Sequence, residues 1–230
     1  MRLKACIYVL VLALLGAANA GANILVNGDF SLSPDPGLVQ RYLGGSSLVG
    51  WFALNDDVEL MGPDYWQSAP GSSRSVDLAG LHPGGIGQSI PTVVGGVYTL
   101  SFYLAGNMDS APAVKYLTIA TVSNAAVFDS QSFTFDTTGY SHSNMGWTLE
   151  TWQFTAIAPR TDILFIDSTI TEMNPHNMDV LWNPAGPVVA NINLTGPGDS
   201  PDPSPEPLSF VLLGSGLIGI ACVYRRRARR

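Results

Sequence analysis

Residues 97–105 read VYTLSFYLA and predict a β-strand with one buried face. Large apolar side chains stand at positions 100, 102 and 104, and Ser101 and Tyr103 stand between them. Alternate side chains of a strand point to opposite faces of the sheet, so this period of two predicts a core face and a solvent face. Residues 151–156, TWQFTA, alternate in the same way.

Similar short runs recur along the chain between clusters of Gly, Pro, Asn and Asp. They predict strands at 23–26, 58–61, 75–78, 86–90, 97–105, 114–121, 129–135, 150–156, 161–167 and 188–194. No window shows a helical period of useful length, and no internal repeat is present. About ten short strands with Gly-rich turns predict one all-β domain over residues 21–195, an antiparallel β-sandwich.

The 18 acidic and 11 basic residues are unevenly distributed along the chain. The stretch 21–207 contains all the acidic residues but only Arg41, Arg74, Lys115 and Arg160 among the basic ones, so its net charge is −14. Phosphate backbones repel so acidic a surface, which argues against nucleic acid as a partner.

Residues 1–20 have the three parts of a secretory signal peptide. Arg2 and Lys4 form the positive start, residues 5–15 form the apolar stretch, and Ala18-Asn19-Ala20 is a small-residue cleavage site. We expect export with cleavage at Ala20. A permanent membrane anchor is the alternative, but the apolar run is short and ends in a cleavable triplet.

The C-terminal segment 205–230 begins with Pro205-Glu206-Pro207, continues as the uncharged apolar run 208–224, and ends in an arginine cluster. At about 1.5 Å per residue, a helix over 208–224 is just long enough to cross a thin bilayer. The arginines after it would stay on the cytoplasmic side of the membrane. Residues 196–204, which are only Gly, Pro, Asp and Ser, predict an extended acidic linker before this segment.

This C-terminal arrangement resembles the PEP-CTERM protein-sorting signal, and the resemblance covers residues 205–230. Proteins with that signal occur in Gram-negative bacteria that make extracellular polysaccharide. The resemblance implies transient anchoring in the inner membrane and cleavage near Pro205-Glu206-Pro207 by an exosortase, a membrane transpeptidase with a catalytic cysteine. An ordinary tail anchor is the alternative. Processing at both ends would remove Cys6 and Cys222 and leave an acidic protein without cysteine at the cell surface or in the extracellular matrix.

The order of motifs between the two terminal segments also resembles a family. The motifs are NILVNGDF (23–30), GW (50–51), VEL (58–60), SVDLAG (75–80), GGIGQ (84–88), YTLSF (98–102), LAGN (104–107), FTFDTTG (133–139) and NMGW (144–147). They look like the bacterial choice-of-anchor C family, which is similar to a plant cell-wall family called domain of unknown function 642. The resemblance implies a galactose-binding-like jelly roll. Plant relatives are associated with wall polysaccharide, whereas the bacterial members have no established ligand.

The sequence departs from that family at two positions. Ser31 stands where many members have an acidic residue, and Ala190 stands where the last strand usually has Asp. In galactose-binding-like modules the corresponding acids often hold a structural Ca²⁺. Because a hard cation needs several oxygen ligands, we expect this family-type calcium site to be absent or weak, and we predict no cofactor or metal.

Residues for catalysis are present but poorly arranged in the sequence. His82, His142 and His176 lie in loops without a G-x-S-x-G elbow. A glycosidase needs two carboxylates facing each other across a cleft, and an acidic chain offers many pairs by chance. The carboxylates considered are Glu59, Asp77, Glu150 and Glu172, and the first and second of these are neighbours if their strands pair. We predict that the protein is not an enzyme.

Aromatic and amide side chains suggest a site for sugar. Flat aromatic faces stack on sugar rings, while amide, carboxylate and guanidinium groups bind hydroxyls. Trp51 and Trp152 are predicted to lie in the core. Tyr65, Trp66 and Gln67 follow Pro63-Asp64 in a loop, where an exposed aromatic side chain is seldom needed to stabilise the fold. The predicted ligand-facing cluster is Tyr65, Trp66, Gln67 and Arg74, with His82 and Asn107 as partners.

These observations favour an exported, non-enzymatic module that binds or organises extracellular polysaccharide and meets the secretion translocon and an exosortase on its way out. A structural matrix or adhesion protein without a defined glycan ligand is the alternative, and a glycoside or ester hydrolase is the third.

Overall fold

The computed structural model of the protein describes residues 22–169 and 185–197. The predicted signal peptide 1–20, most of the linker 196–204 and the sorting segment 205–230 lie outside these residues, as do Glu172, His176 and Trp182. In the parts that are described, no helix is long and apolar enough to cross a membrane. The predicted spanning run 208–224 is not among them.

Every regular element of the described residues is a β-strand, and the strands pair antiparallel in two sheets of six. Sheet A has the strand order β1-β4-β5-β12-β7-β10, and sheet B has the order β2-β3-β6-β11-β8-β9. The strands are β1 Val39–Leu43, β2 Ser47–Leu48, β3 Trp51–Asn55, β4 Asp57–Met61, β5 Ser75–Asp77, β6 Gly84–Pro91, β7 Val97–Gly106, β8 Val114–Ser123, β9 Ala126–Asp136, β10 Thr148–Thr155, β11 Arg160–Asp167 and β12 Pro187–Thr195. The predicted all-β antiparallel sandwich of jelly-roll type is confirmed.

Two parts of the strand prediction differ from the structure. The sequence pattern does not predict β1, β2 and β3, which have no sustained apolar alternation. The predicted strand at 23–26 is irregular chain instead. It follows β12 through a hydrogen bond from the Ile24 amide to the Leu194 carbonyl (2.9 Å) and through the Asn23 side chain, which binds the backbone of both Ile192 and Leu194.

The core lies between the two sheets and follows the alternation of β7. Leu100, Phe102 and Leu104 are fully buried, and the ring of Phe102 meets Phe165 of sheet B edge to face, with centroids 5.4 Å apart. Trp51 is buried as predicted, and its indole N–H donates to the Asn27 carbonyl at 3.0 Å. Trp152 is partly buried and packs against the same core, which confirms its predicted place.

The strands run between two ends of the sandwich that are about 30 Å apart, the length of the ten-residue β7 at about 3.3 Å per residue. We call the end that contains Val97 and Thr195 the exit end, because β12 finishes there. We call the opposite end, which contains Gly106 and Asp167, the distal end. The predicted site residues Tyr65, His82 and Asn107 all lie toward the distal end.

Candidate functional site

A groove of about 630 Å³ lies on the outer face of sheet A. Its volume falls within the roughly 300–1,000 Å³ of ligand sites in proteins. The residues that line it are Asn23, Leu25, Asn27, Gly28, Asp29, Ser31, Leu32, Gly71, Ser101, Tyr103, Leu149, Asn191 and Asn193. No sequence motif predicts this groove, although four of its thirteen lining residues are asparagines, a residue type suited to binding hydroxyl groups.

The floor of the groove comes from three adjacent strands. Tyr103 of β7 pairs with Leu149 of β10, and Ser101 of β7 pairs with Asn193 of β12, so all four side chains share the outer face. Among residues 22–169 and 185–197, no hydrogen bond involves the side chains of Ser101, Tyr103 or Asn193. The floor therefore presents two hydroxyls and an amide that a ligand can bind, beside an exposed leucine.

One wall of the groove is the turn 27–33, and its polar side chains are used to hold its shape. Asn27 has a positive φ of 57° and donates to the Val49 carbonyl at 2.7 Å, while its own Oδ1 accepts from the Leu32 amide at 2.8 Å. Gly28 packs so closely on β12 that a Cβ there would lie 1.9 Å from the Ile192 carbonyl oxygen. Only glycine fits this close approach, which fixes the wall against the sheet.

Arg74 supports the same wall from beneath. Its Nη1 donates to the carbonyls of Phe30 (3.0 Å), Ser31 (3.1 Å) and Ser33. The sequence predicted that Arg74 faces a ligand together with Tyr65 to Gln67. The structure instead directs this guanidinium nitrogen at three main-chain oxygens, so Arg74 positions the groove wall.

The two residues that depart from the family's calcium pattern lie close to this groove. Ser31 is exposed, and its hydroxyl donates to Asp29 Oδ1 at 2.9 Å. Ala190 is fully buried on β12 opposite Tyr103 and offers no oxygen from its side chain. A weak or absent calcium site here stays a prediction.

Tyr65 belongs to a second cluster, at the distal end. Its hydroxyl donates to Asp109 Oδ2 at 2.8 Å, and His142 Nε2 lies 2.7 Å from the other carboxylate oxygen, Oδ1. The Tyr65 and His142 rings are 5.1 Å apart. Burial, and then the hydrogen bond to Asp109, raises the pKa of Tyr65 to about 12, so this hydroxyl remains a hydrogen-bond donor at neutral pH.

Gln67 lies beside Tyr65 but is largely occupied by the loop 140–147. Its side-chain Oε1 accepts from the Met145 amide at 2.9 Å, and its carbonyl accepts from the Trp147 indole N–H at 2.9 Å. The backbone N–H of Gln67 donates to the His142 carbonyl at 2.7 Å. Gln67 therefore holds His142 close to Tyr65, a neighbour that no local sequence motif marks because it comes from a distant loop.

Trp66 has a different place from the one that the sequence suggests. Its side chain is only 4% exposed, and its indole N–H donates to the Ser75 hydroxyl at 2.9 Å. Its ring meets Tyr65 edge to face at 5.1 Å. A ring buried in this way has no free face for a sugar, so Trp66 supports Tyr65 from below.

His82 and Asn107 do not join Tyr65 in one binding surface. His82 Nδ1 lies 3.6 Å from Asp56 Oδ2, and these two residues with Asp57 bring possible metal-ligand atoms within 4.8 Å of one another. Arg41 Nε stands 3.4 Å from Asp57 Oδ2, and its positive charge opposes a cation there. Asn107 is buried, and its Oδ1 accepts from the Asp109 amide at 2.9 Å, beneath the cluster.

Asn107 also connects to a set of buried charges. Its Nδ2 donates to Asp77 Oδ2 at 2.7 Å, and Asp77 Oδ1 accepts from the amides of Ala79 and Gly186. Burial raises the pKa of Asp77 to about 8, against these hydrogen bonds. The Lys115 ammonium nearby donates to the Ser110 and Ala185 carbonyls, and burial lowers its pKa. Burial likewise raises the pKa of Asp167 to about 6.

One of the carboxylates considered for glycosidase chemistry, Asp77, is enclosed in the protein. Glu59 and Asp77 are direct cross-strand partners, as the sequence predicted for paired strands. Asp77, however, is 0% exposed and bonded to three N–H groups. A carboxylate enclosed in this way cannot reach a glycosidic oxygen.

Comparison with known proteins identifies a family. No curated protein matches the sequence. The TmCBM61 module in complex with beta-1,4-galactotriose has 14% identity and a TM-score of 0.45 over 75% of this chain and 97% of that chain. A family 35 carbohydrate-binding module from Clostridium thermocellum has 13% identity and a TM-score of 0.40 over 67% and 97%. The arabinose-bound arabinofuranosidase MgGH51 has 13% identity and a TM-score of 0.45 over 79% of this chain and 27% of that chain.

Similarity at this level does not transfer a ligand or an activity from those proteins to this chain. A family profile is more specific, and it covers nearly the whole sandwich. The profile described as "Protein of unknown function (DUF642)" matches residues 23–195, and the chain belongs to that family.

Proposed function

We propose that the protein is exported and binds a neutral polysaccharide in the groove on the outer face of sheet A. The observation that carries this proposal is the floor of the groove, where Ser101, Tyr103 and Asn193 have no hydrogen-bond partner among the described residues. Sugar hydroxyls need such donors and acceptors, and the Tyr103 ring and Leu149 side chain supply apolar surface for the C–H faces of a sugar.

The charge of the groove selects against acidic polymers. No lysine, arginine or histidine is among its lining residues, and Asp29 contributes a carboxylate. The body of the protein is also strongly acidic. An anionic chain such as polygalacturonate would meet like charge at the site and over the surface around it, whereas a neutral glycan would not.

The terminal segments carry the proposal of export. We retain the signal peptide 1–20, the choice-of-anchor C assignment and the PEP-CTERM segment 205–230, with transient anchoring through 208–224 and release by an exosortase. Replacing Pro205-Glu206-Pro207 by three alanines in the native host should leave the protein in the inner-membrane fraction. Normal release of this variant would refute sorting through that motif.

The glycan proposal is tested by titrating the purified protein with neutral and anionic polysaccharides in parallel. Tyr103→Ala should weaken binding of a neutral glycan at least about fivefold, because loss of a central contact residue commonly costs more than about 1 kcal/mol. Tyr116→Ala is the matched control, since Tyr116 is an exposed tyrosine of β8 in the other sheet. Equal affinities of the two variants would place binding outside the groove, and no binding to any polymer would favour the structural matrix role.

The Tyr65 cluster remains a proposed second contact surface, with Tyr65 and Gln67 as the residues that a glycan would meet. Tyr65→Ala in the same titration separates the two sites. If binding falls for Tyr65→Ala and not for Tyr103→Ala, the distal end is the principal site.

A further inference from the structure

The outer face of sheet A continues beyond the groove, toward the exit end, with hydroxyl and amide side chains. Ser101 on the groove floor pairs with Thr151 of β10. Two residues along β7, Thr99 pairs with Gln153 of β10 and with Thr195 of β12. Residues two apart on a strand share a face of the sheet, and so do residues directly opposite each other on paired strands. We call this surface the hydroxyl strip, and it consists of Thr99, Thr151, Gln153, Thr155 and Thr195.

The polar groups of the hydroxyl strip are accessible to a ligand. Thr151, Gln153 and Thr155 are exposed. Gln153 Nε2 donates to Thr99 Oγ1 at 3.0 Å, which ties the glutamine amide to the neighbouring strand. Within residues 22–169 and 185–197, the hydroxyls of Thr151, Thr155 and Thr195 make no hydrogen bond. The strip therefore offers the same kinds of group as the groove floor, donors and acceptors suited to sugar hydroxyls.

The three strands that carry the groove floor and the strip are almost without charge. Glu150 is the only charged residue of β7, β10 and β12. Its cross-strand partner is Phe102, which is buried in the core, so Glu150 does not belong to the outer face. In a body of net charge −14, a neutral outer face over three adjacent strands extends the preference of the groove for uncharged polymers.

Sheet B shows that this composition is not a general property of the strands in this fold. β11 lies in the interior of sheet B, as β7 does in sheet A. Its buried residues alternate with four outward residues, which are two charged and two aliphatic side chains. These are Arg160, Asp162, Leu164 and Ile166. Threonine is favoured in strands on its own account, but that preference applies equally to both sheets and does not explain a hydroxyl surface on one of them.

The groove floor and the strip form one path along β7. Tyr103 and Ser101 line the groove, and Thr99 and Val97 follow at the next two outward positions. The six residue steps from Tyr103 to Val97 extend about 20 Å at about 3.3 Å per residue. The strip residues are not among those that line the groove, so a chain that leaves the groove over Ser101 reaches the strip directly.

We propose that a linear neutral polysaccharide lies along β7, with one stretch of sugar rings in the groove and the next stretch on the hydroxyl strip. The ligand is then recognised over a length of chain that exceeds what the groove alone holds. Thr151 and Gln153 are the residues of the strip that contact it most directly, because both are exposed beside β7. This inference rests on the proposed glycan site in the groove and adds a subsite to it.

The test titrates the purified protein with the trisaccharides and hexasaccharides of β-1,4-linked glucose, mannose, galactose and xylose. In a series that binds, the hexasaccharide should bind at least about fivefold more tightly than the trisaccharide, because it gains further contacts. Thr151→Val/Gln153→Leu removes the hydroxyl and the amide of two exposed residues and should reduce this ratio to less than about twofold. Affinity for the trisaccharide should stay the same. Tyr103→Ala should weaken binding of both lengths.

The matched control is Gln131→Leu/Thr134→Val, which makes the same changes at two exposed residues of β9. β9 is an edge strand of sheet B, as β10 is of sheet A. This variant should keep the wild-type ratio between the two lengths, and both double variants should keep the wild-type Tm.

The outcomes separate the strip from the groove. If neither length of any series binds, the proposed glycan site itself fails, and the strip fails with it. If Tyr103→Ala weakens binding but the two lengths bind the wild-type protein equally, the groove stands and the strip is overturned. A ratio that is unchanged in Thr151→Val/Gln153→Leu, or reduced equally in the β9 control, also overturns the strip.

Discussion

Replacing Trp66 by alanine should destabilise the protein strongly and leave the groove able to bind. The indole is buried, meets the rings of Tyr65 and His142, and donates a hydrogen bond to the Ser75 hydroxyl. Truncation of a buried tryptophan to alanine costs about 3–5 kcal/mol through lost transfer free energy and the remaining cavity. The Ser75 hydroxyl also loses its partner, which contributes to the upper part of that range.

Urea unfolding followed by circular dichroism measures this cost directly. For a domain of this size, about 3–5 kcal/mol corresponds to a fall in Tm of roughly 6–20 °C. Trp66→Phe is the intermediate variant, because it keeps an aromatic ring but removes the N–H donor, and it should lose about 1–2 kcal/mol.

The competing expectation comes from the sequence, where Tyr65-Trp66-Gln67 reads as an exposed ligand-facing run. An exposed tryptophan would change stability by less than about 0.5 kcal/mol and abolish binding. Unchanged unfolding of Trp66→Ala together with lost glycan binding would therefore refute the buried placement of this side chain.

Two further predictions concern the buried charges and the groove wall. Because burial raises the pKa of Asp77 to about 8 and of Asp167 to about 6, above their value in the unfolded chain, their protonated forms favour the folded state. Their contribution to stability is therefore complete below about pH 4 and is lost as the pH rises through 6 and 8. The free energy of unfolding should fall over this pH range, and Asp167→Asn should reduce the fall in the lower part of the range. A wild-type free energy of unfolding that does not change with pH in urea titrations would contradict this prediction. Arg74→Met should cost about 1–2 kcal/mol, discounted for its partial exposure, and weaken binding in the groove by loosening the turn 27–33. Calorimetry of unfolding and of glycan binding on the same sample measures both effects. Unchanged stability and unchanged binding would mean that the wall keeps its shape without the guanidinium.

The sandwich was predictable because its core strands are long enough to show their period. In β7 every second residue is apolar, and Trp152 and Phe154 repeat this pattern at the end of β10, so the sequence predicts both strands and their buried face. β1 and β3 have five residues each, and the edge strand β1 is partly exposed on both faces, so neither leaves a readable pattern. Residues 23–26 have the composition of a strand, but side chains take up backbone groups that a strand would pair. Asn23 Oδ1 accepts from the Leu25 amide, and the Gln88 side chain bonds to both the amide and the carbonyl of Val26.

The candidate site was less accessible to sequence reasoning because distant segments build it. The groove combines residues 23–32, Gly71, β7, β10 and β12, and no local motif marks that combination. One signal was present: Ser101 and Tyr103 occupy the outward positions of the strongest alternating strand. The burial of Trp66 could not be predicted either. Its indole turns inward to donate to the Ser75 hydroxyl, and this contact between the loop and β5 is not visible in the sequence.

The position of β12 in sheet A determines how the domain bears mechanical load. β12 lies between β5 and β7 in the middle of the sheet, and the chain continues from its C-terminal end. A pull transmitted through residues 198–207 acts along this strand, while its hydrogen bonds to β7 are perpendicular to it. The bonds from Pro187 to Thr195 are then loaded together in shear, and Asn23 adds its side-chain bonds at Ile192 and Leu194. A sandwich held at this strand resists flow or traction on its C-terminus far better than one held at an edge strand, whose bonds would open one at a time.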